Sequence, residues 1–178
     1  MRSRTSAHVR HHVLSGRRIA ISGRVRPSGA GRRVRVRVGG RTLSTHTRRN
    51  GSFSKSWTVP HPGHYRVRVF AGGNRIAAAS RSGARKVTAY RRAAASWYGP
   101  GLYGGHLACG GTLSPSTLGV ANRTLRCGTK LTLRYHGRSV NARVVDRGPY
   151  AGNREFDLTA ATKRKLGFPS TGTVLSSR

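Results

Sequence analysis

Residues 130–168 read KLTLRYHGRSVNARVVDRGPYAGNREFDLTAATKRKLGF. Two alternating runs, Lys130 to Tyr135 and Ser139 to Val145, flank the turn signal HGR and predict a hairpin whose second strand ends at Asp146. The Gly-Pro turn that follows stiffens the backbone, so a carboxylate at that strand end is positioned rather than mobile. Downstream, LTAATKRKL predicts a short helix capped by Asp157 or Thr159 and ended by Gly167, with Pro169 just beyond. Lys163, Arg164 and Lys165 fall in its last turns, where cations suit the helix dipole.

The same stretch holds every acidic residue of the 178-residue chain, Asp146, Glu155 and Asp157, against 35 Lys and Arg and a formal net charge of +32. Chemistry that needs a carboxylate has only this place to happen, because a general acid or base must lie within reach of the bond it works on. The competing reading makes Asp146 and Glu155 turn and ion-pair residues and Asp157 a helix cap.

The length suits one ordinary domain or two small ones, and 35% hydrophobic content is enough for β domains that bury one face of each strand. No run of about 18 apolar residues is present, so no membrane-spanning helix is expected. The first twenty residues, MRSRTSAHVRHHVLSGRRIA, are charged but lack the apolar centre of a signal peptide. The chain is therefore either mature or begins downstream of an export signal. Of the 35 basic residues 30 are Arg, which predicts strong, salt-sensitive attraction to polyanions. Without zinc-finger spacing, basic-zipper heptads or an RNA-binding aromatic motif, no specific nucleic-acid binding is expected. A basic surface that meets an anionic envelope is the preferred reading of the charge.

Charge divides the chain near residues 91–95. Residues 1–92 carry 23 bases and no acid, and residues 93–178 carry 12 bases and all three acids. In the first part RRVRVRVGG (32–40), YRVRVF (65–70) and KVTAY (86–90) alternate with period two, and turn signals such as PSGAG, RRNGS, PHPG and AGGN separate the runs. This predicts a small antiparallel β-sandwich over 16–90 with a Val-lined inside and an Arg-lined outside. The segment loosely resembles bacterial immunoglobulin-like or carboxypeptidase-regulatory-like domains. Trp57 and Tyr65 read as core aromatics, with a sugar platform as the alternative. Residues 1–15 lack periodicity and contain His8, His11 and His12; they read as a disordered basic tail rather than a metal site, and no metal or cofactor is expected. Residues 91–94 read as a linker, and 169–178 as a C-terminal tail.

Four motifs occur in order in the second part: ASWYG (95–99), RTLRCGT (123–129), VVDRGPY (144–150) and EFDLTAAT (155–162). Together they resemble the double-psi β-barrel domain of the rare lipoprotein A family of endolytic peptidoglycan transglycosylases. More distantly, the Cys of ACGG and the FDL segment resemble the first domain of expansins. The resemblance implies an all-β chain in which an immunoglobulin-like sandwich precedes a six-stranded double-psi barrel with a short helix, over residues 95–168. It implies an exported cell-wall protein whose partners are peptidoglycan glycan strands and anionic wall polymers. It also implies a reaction in which a carboxylic acid protonates the glycosidic oxygen and the muramic 6-hydroxyl attacks to leave a 1,6-anhydro end, without water.

Asp146 falls on the family's DRGP aspartate and is the expected general acid/base. Asp157, at the position of the expansin carboxylate, is the alternative. Tyr98, Asn122, Arg147 and Tyr150 are the expected substrate-binding residues. The chain departs from the family at two polar positions, where a Glu is replaced by Gly111 and a His by Asn122; His106 is a candidate substitute. Those departures leave two other classes open, a non-catalytic expansin-like wall-binding or wall-loosening module and a polyanion or nucleic-acid binder acting by charge alone. Cys109 and Cys127 lack metal-ligand spacing; in an exported protein they form one disulfide closing a loop of about 17 residues, and two reduced buried thiols are the alternative.

Overall fold

The structure is a computed structural model describing all residues, Met1–Arg178. It is all-β apart from one short helix and divides into two compact units, Met1–Tyr90 and Arg91–Arg178. No helix is long and apolar enough to cross a membrane.

In the first unit β1 (Arg4–His8), β3 (Arg18–Arg26) and β6 (Ser52–Thr58) form one antiparallel sheet in the order β1-β3-β6, and β2 spans His12–Leu14. A second sheet joins β4 (Arg33–Val38), β5 (Arg41–His46), β7 (Gly63–Ala71), β8 (Ser80–Arg81) and the first residues of β9 (Arg85–Tyr98). The two sheets share one core. Ile19, Ile21, Val25, Phe53 and Trp57 come from the first, and Val34, Val36, Val38, Val67 and Val69 from the second. The period-two pattern explains this directly, since Val34, Val36 and Val38 are buried while Arg33, Arg35 and Arg37 between them face solvent. Trp57 is a core residue packed edge-on to Tyr65 at 5.0 Å, not an exposed platform.

Residues 1–15 differ from the disordered tail that the sequence suggests. Arg4–His8 adds an edge strand to β3 and buries Ala7, and β2 pairs with β9 and buries Val13. Backbone pairing supplies what the sparse apolar residues do not. The expected linker at 91–94 is likewise strand: from Arg91 onward β9 belongs to the second unit, where Ala93 and Ala95 are core residues.

The second unit is a closed barrel of six strands. With β10 (Gly119–Ala121), β11 (Lys130–Tyr135), β12 (Arg138–Asp146), β13 (Phe156–Thr159) and β14 (Gly172–Ser176), the order is β13-β10-β12-β11-β14-β9, and β9 returns to pair with β13. The β10–β12 and β13–β9 pairs are parallel and the others antiparallel. The expected C-terminal tail therefore contains a closing strand, with Val174 buried. Phe156, Leu158, Leu131 and Leu133 fill the centre, each worth about 1.5–3 kcal/mol on burial.

The β11–β12 hairpin turns on His136 and Gly137, whose φ values of 41° and 85° supply the two left-handed residues that a tight hairpin connection requires. The helix α1 (Ala160–Leu166) starts later than the sequence suggests, because β13 runs on to Thr159. Thr159, not Asp157, is its cap, accepting the Thr162 N–H, and Gly167 closes it in the left-handed conformation.

Candidate active site on the barrel

Strand register brings two of the three acidic residues into one row. Asp146 at the end of β12 lies opposite Ala121 of β10, Ala121 opposite Asp157 of β13, and Asp157 opposite Ser96 of β9. Two strand spacings put the two aspartate backbones about 10 Å apart. Only the small buried Ala121 stands between them. Tyr98 follows Ser96 by two residues and so projects on the same side of β9.

The two carboxylates are held differently. Asp146 Oδ1 accepts backbone N–H bonds from Ala108 (2.9 Å) and Arg147 (2.8 Å), and its carbonyl accepts from Asn122 N–H (3.1 Å). These bonds fix the carboxylate's orientation. Asp157 is half-buried and accepts one hydrogen bond, from the Ser96 hydroxyl at 2.7 Å. Burial pushes its carboxyl above the usual carboxylate range. The Ser96 bond and the positive charge of Arg154 oppose that shift, and the charge of Asp146 adds to it. Tyr98 ties the pair together. Its hydroxyl is buried, and its pKa is pushed up first by burial, then by the charge and carboxylate of Asp146 and, more weakly, by the charge of Asp157.

The remaining expected residues separate into two groups. Glu155 forms an ion pair with Arg91, one of its bonds at 2.6 Å, and its backbone N–H donates to Ala94, so it anchors the start of β13 and takes no place in the row. Asn122 is only 2% exposed, and its carboxamide is used internally. Nδ2 donates to the Glu155 carbonyl (3.0 Å), and Oδ1 accepts from Leu125 N–H (2.7 Å) and Thr124 N–H (3.1 Å). Asn122, an expected substrate-binding residue, has its carboxamide engaged within the protein, where it organises a turn. Arg147 does related work, donating to the carbonyls of Asn122 (3.0 Å) and Leu125 (2.9 Å) and to Cys127 Sγ (3.1 Å), so its guanidinium clamps that turn rather than pointing free.

The Cys109–Cys127 disulfide, with Cα atoms 5.4 Å apart, joins the turn to the loop that supplies the Ala108 N–H, and Cys109 N–H also bonds Val145 O (3.2 Å). Tyr150 is 78% exposed on the loop after Asp146, available to a sugar face. Gly111 is exposed at a left-handed φ of 80°, with open space where a side chain would stand, so nothing replaces the family's Glu there. His106 is exposed and bridges Thr112 through the backbone. No group of three or more His, Cys, Asp and Glu side chains could hold a metal ion.

Ser96 and Arg154, which set the state of Asp157, escape local reading of the sequence. The signal for Ser96 is its alternation with Tyr98 in ASWYG, which puts both on one face of a strand.

A closed six-stranded barrel with two parallel strand pairs and a row of carboxylate and hydroxyl side chains agrees with the double-psi class of β-barrel domains. Residues 91–175 match the family described as lytic transglycolase, and this segment is similar to the rare lipoprotein A (RlpA)-like double-psi β-barrel family. The chain is 45% identical over 80 residues to the probable endolytic peptidoglycan transglycosylase RlpA of Synechocystis, covering 44% of this chain and 25% of that protein. It is 35% identical over 112 residues to the protein of the same name from Aquifex aeolicus, covering 62% and 50%. With the endolytic peptidoglycan transglycosylase RlpA of Campylobacter jejuni it shares 38% over 82 residues, covering 45% and 30%. The chain thus spans a quarter to a half of the length of these relatives. Among solved structures the Streptomyces papain inhibitor is similar at 20% identity and a TM-score of 0.37, covering 50% of this chain and 94% of that one.

Proposed function

We propose that the barrel is a lytic transglycosylase acting on peptidoglycan glycan strands outside the cytoplasm, with Asp146 and Asp157 sharing the proton transfers. The observation that carries this reading is the convergence of Asp146, Asp157 and Tyr98, with Asp157 the carboxyl whose protonated form burial favours. Asp157 gives its proton to the oxygen between two aminosugars as the bond to C1 breaks. The muramic 6-hydroxyl oxygen then bonds to C1, and its proton passes to Asp146, whose orientation is fixed by two backbone donors. One glycosidic bond is exchanged for one intramolecular ether bond, so no water is consumed. Tyr98 donates to the developing negative charge or to a sugar hydroxyl, and the exposed Tyr150 supplies a stacking face. In this reading Asp157 is the donor and Asp146 the acceptor, which divides the acid/base role that the sequence assigns to Asp146.

The disulfide fits an oxidising, extracytoplasmic setting. The two-sheet first unit fits an immunoglobulin-like sandwich that serves as an attachment module for anionic wall polymers. The absence of a titratable group at Gly111 and at Asn122 favours a second reading, an expansin-like wall-binding module without turnover.

Asp146→Asn and Asp157→Asn test the choice. Under the enzymatic reading both keep the fold and glycan binding and lose anhydro-product formation by about 10²–10⁴-fold. Under the binding reading the wild type already forms no product.

A further inference from the structure

The outer face of the first sheet carries an Arg-lined groove. Arg24 and Arg26 alternate outward along β3 while Ile21 and Val25 point into the core, and strand register sets Arg4 opposite Arg26 and Ser6 opposite Arg24. Arg48, from the turn before β6, completes four guanidinium groups around an open groove of 580 Å³. The far end of the groove is different, because His8, Ser22 and Ser54 lie in register across the three strands there. The Ser22 and Ser54 hydroxyls have no partner within the protein. No Asp or Glu occurs anywhere in residues 1–92, so none of these Arg has a counter-charge in its own unit.

We infer that this groove binds a phosphodiester polymer whose repeats are polyols or sugars. Arg side chains in a fork match phosphate oxygens two at a time. Residues two apart on a strand stand about 6.7 Å from each other, so Arg24 and Arg26 take successive phosphates while the Ser and His row, two positions beyond Arg24, meets the hydroxyls of the adjoining repeat. A base-bearing strand fits poorly, since single-stranded nucleic acid is held by exposed aromatic side chains on which bases stack. Phe53, the one Phe, Tyr or Trp at this groove, is a core residue beneath its floor, which leaves His8 as a single exposed ring and no run of rings on which successive bases could stack. The inference rests on the wall-polymer partner proposed above and is independent of the barrel's chemistry.

The test uses the full chain and a poly(glycerol phosphate) of defined length, titrated calorimetrically beside an oligothymidylate with the same number of phosphates. Arg24→Ser/Arg26→Ser is compared with Arg66→Ser/Arg68→Ser, which removes the same charge from exposed positions on the other sheet. The groove variant should lose about 30-fold in affinity for the polyol polymer and the control variant less than about 3-fold. The charge-preserving Arg24→Lys/Arg26→Lys variant should lose affinity as well, because Lys lacks the fork. Equal losses in the groove and control variants overturn the site. Binding of oligothymidylate as tight as that of the polyol polymer overturns the ligand class. Absence of binding by the wild type overturns the partner reading itself.

Discussion

Replacing both cysteines, as Cys109→Ser/Cys127→Ser, removes a cross-link between residues 18 apart in sequence. Closing a loop of that length in the unfolded chain is worth about 3 kcal/mol by the chain-entropy relation. For a unit the size of the barrel, each kcal/mol moves the melting temperature by about 4–8 °C, so the variant's barrel transition should fall by about 12–24 °C. The structural consequence reaches the site. The cross-link adjoins Ala108, whose N–H holds Asp146 Oδ1, and Cys127 Sγ receives the Arg147 guanidinium. A freed loop therefore loosens Asp146, and product formation should fall even at temperatures where the variant is folded. Scanning calorimetry on the full chain, followed by activity measured well below the variant's transition, checks both parts. An unchanged barrel transition would refute the stabilising role, and full activity in a destabilised variant would refute the link between loop and carboxylate.

Three further outcomes are expected. Burial raises the Asp157 pKa on folding, so between the usual carboxylate range and the raised value the folded chain binds more protons than the unfolded one, and stability falls as pH rises through that window. Asp157→Asn should flatten this part of the stability profile measured by denaturant titration, while the wild type's kcat/KM should decline as pH rises past the same group. Asn122→Ala removes the acceptor of the part-buried Thr124 and Leu125 N–H groups and should cost about 1–2 kcal/mol in urea unfolding, with little direct effect on glycan affinity. Thr159→Val removes the cap of α1 together with the hydroxyl's bond to the Thr117 carbonyl (2.6 Å), and should cost about 1–2 kcal/mol in the same assay.

What could be read locally was the strands with strong alternation and the hairpin. RVRVRV declares which side is inside, and HGR between two alternating runs correctly puts Asp146 at a strand end. Segments whose inward residues are small or few were illegible. Residues 4–8 and 12–14 bury only Ala7 and Val13, the alanines of RRAAA look like a spacer although Ala93 and Ala95 pack in the barrel, and β14 contributes Val174 and polar Ser176. Pairing with partners distant in sequence makes these segments strands, and no local pattern reports it. The same limit applies at the site. Asp157 meets Ser96 through a parallel pairing across 61 positions, and the burial that raises its pKa comes from the folded barrel around it, so neither is visible in the local sequence. Asn122 is ambiguous for another reason: an amide that braces a turn and one that binds a sugar are the same residue in sequence, and only burial separates them.

The most direct measurement is digestion of peptide-free glycan strands by the purified full chain in H₂¹⁸O, with the new ends read by mass spectrometry. Transglycosylation through Asp157 and Asp146 predicts 1,6-anhydro-muramic ends without ¹⁸O, absent from both Asn variants. Reducing ends carrying ¹⁸O, or no cleavage by the wild type, would contradict it.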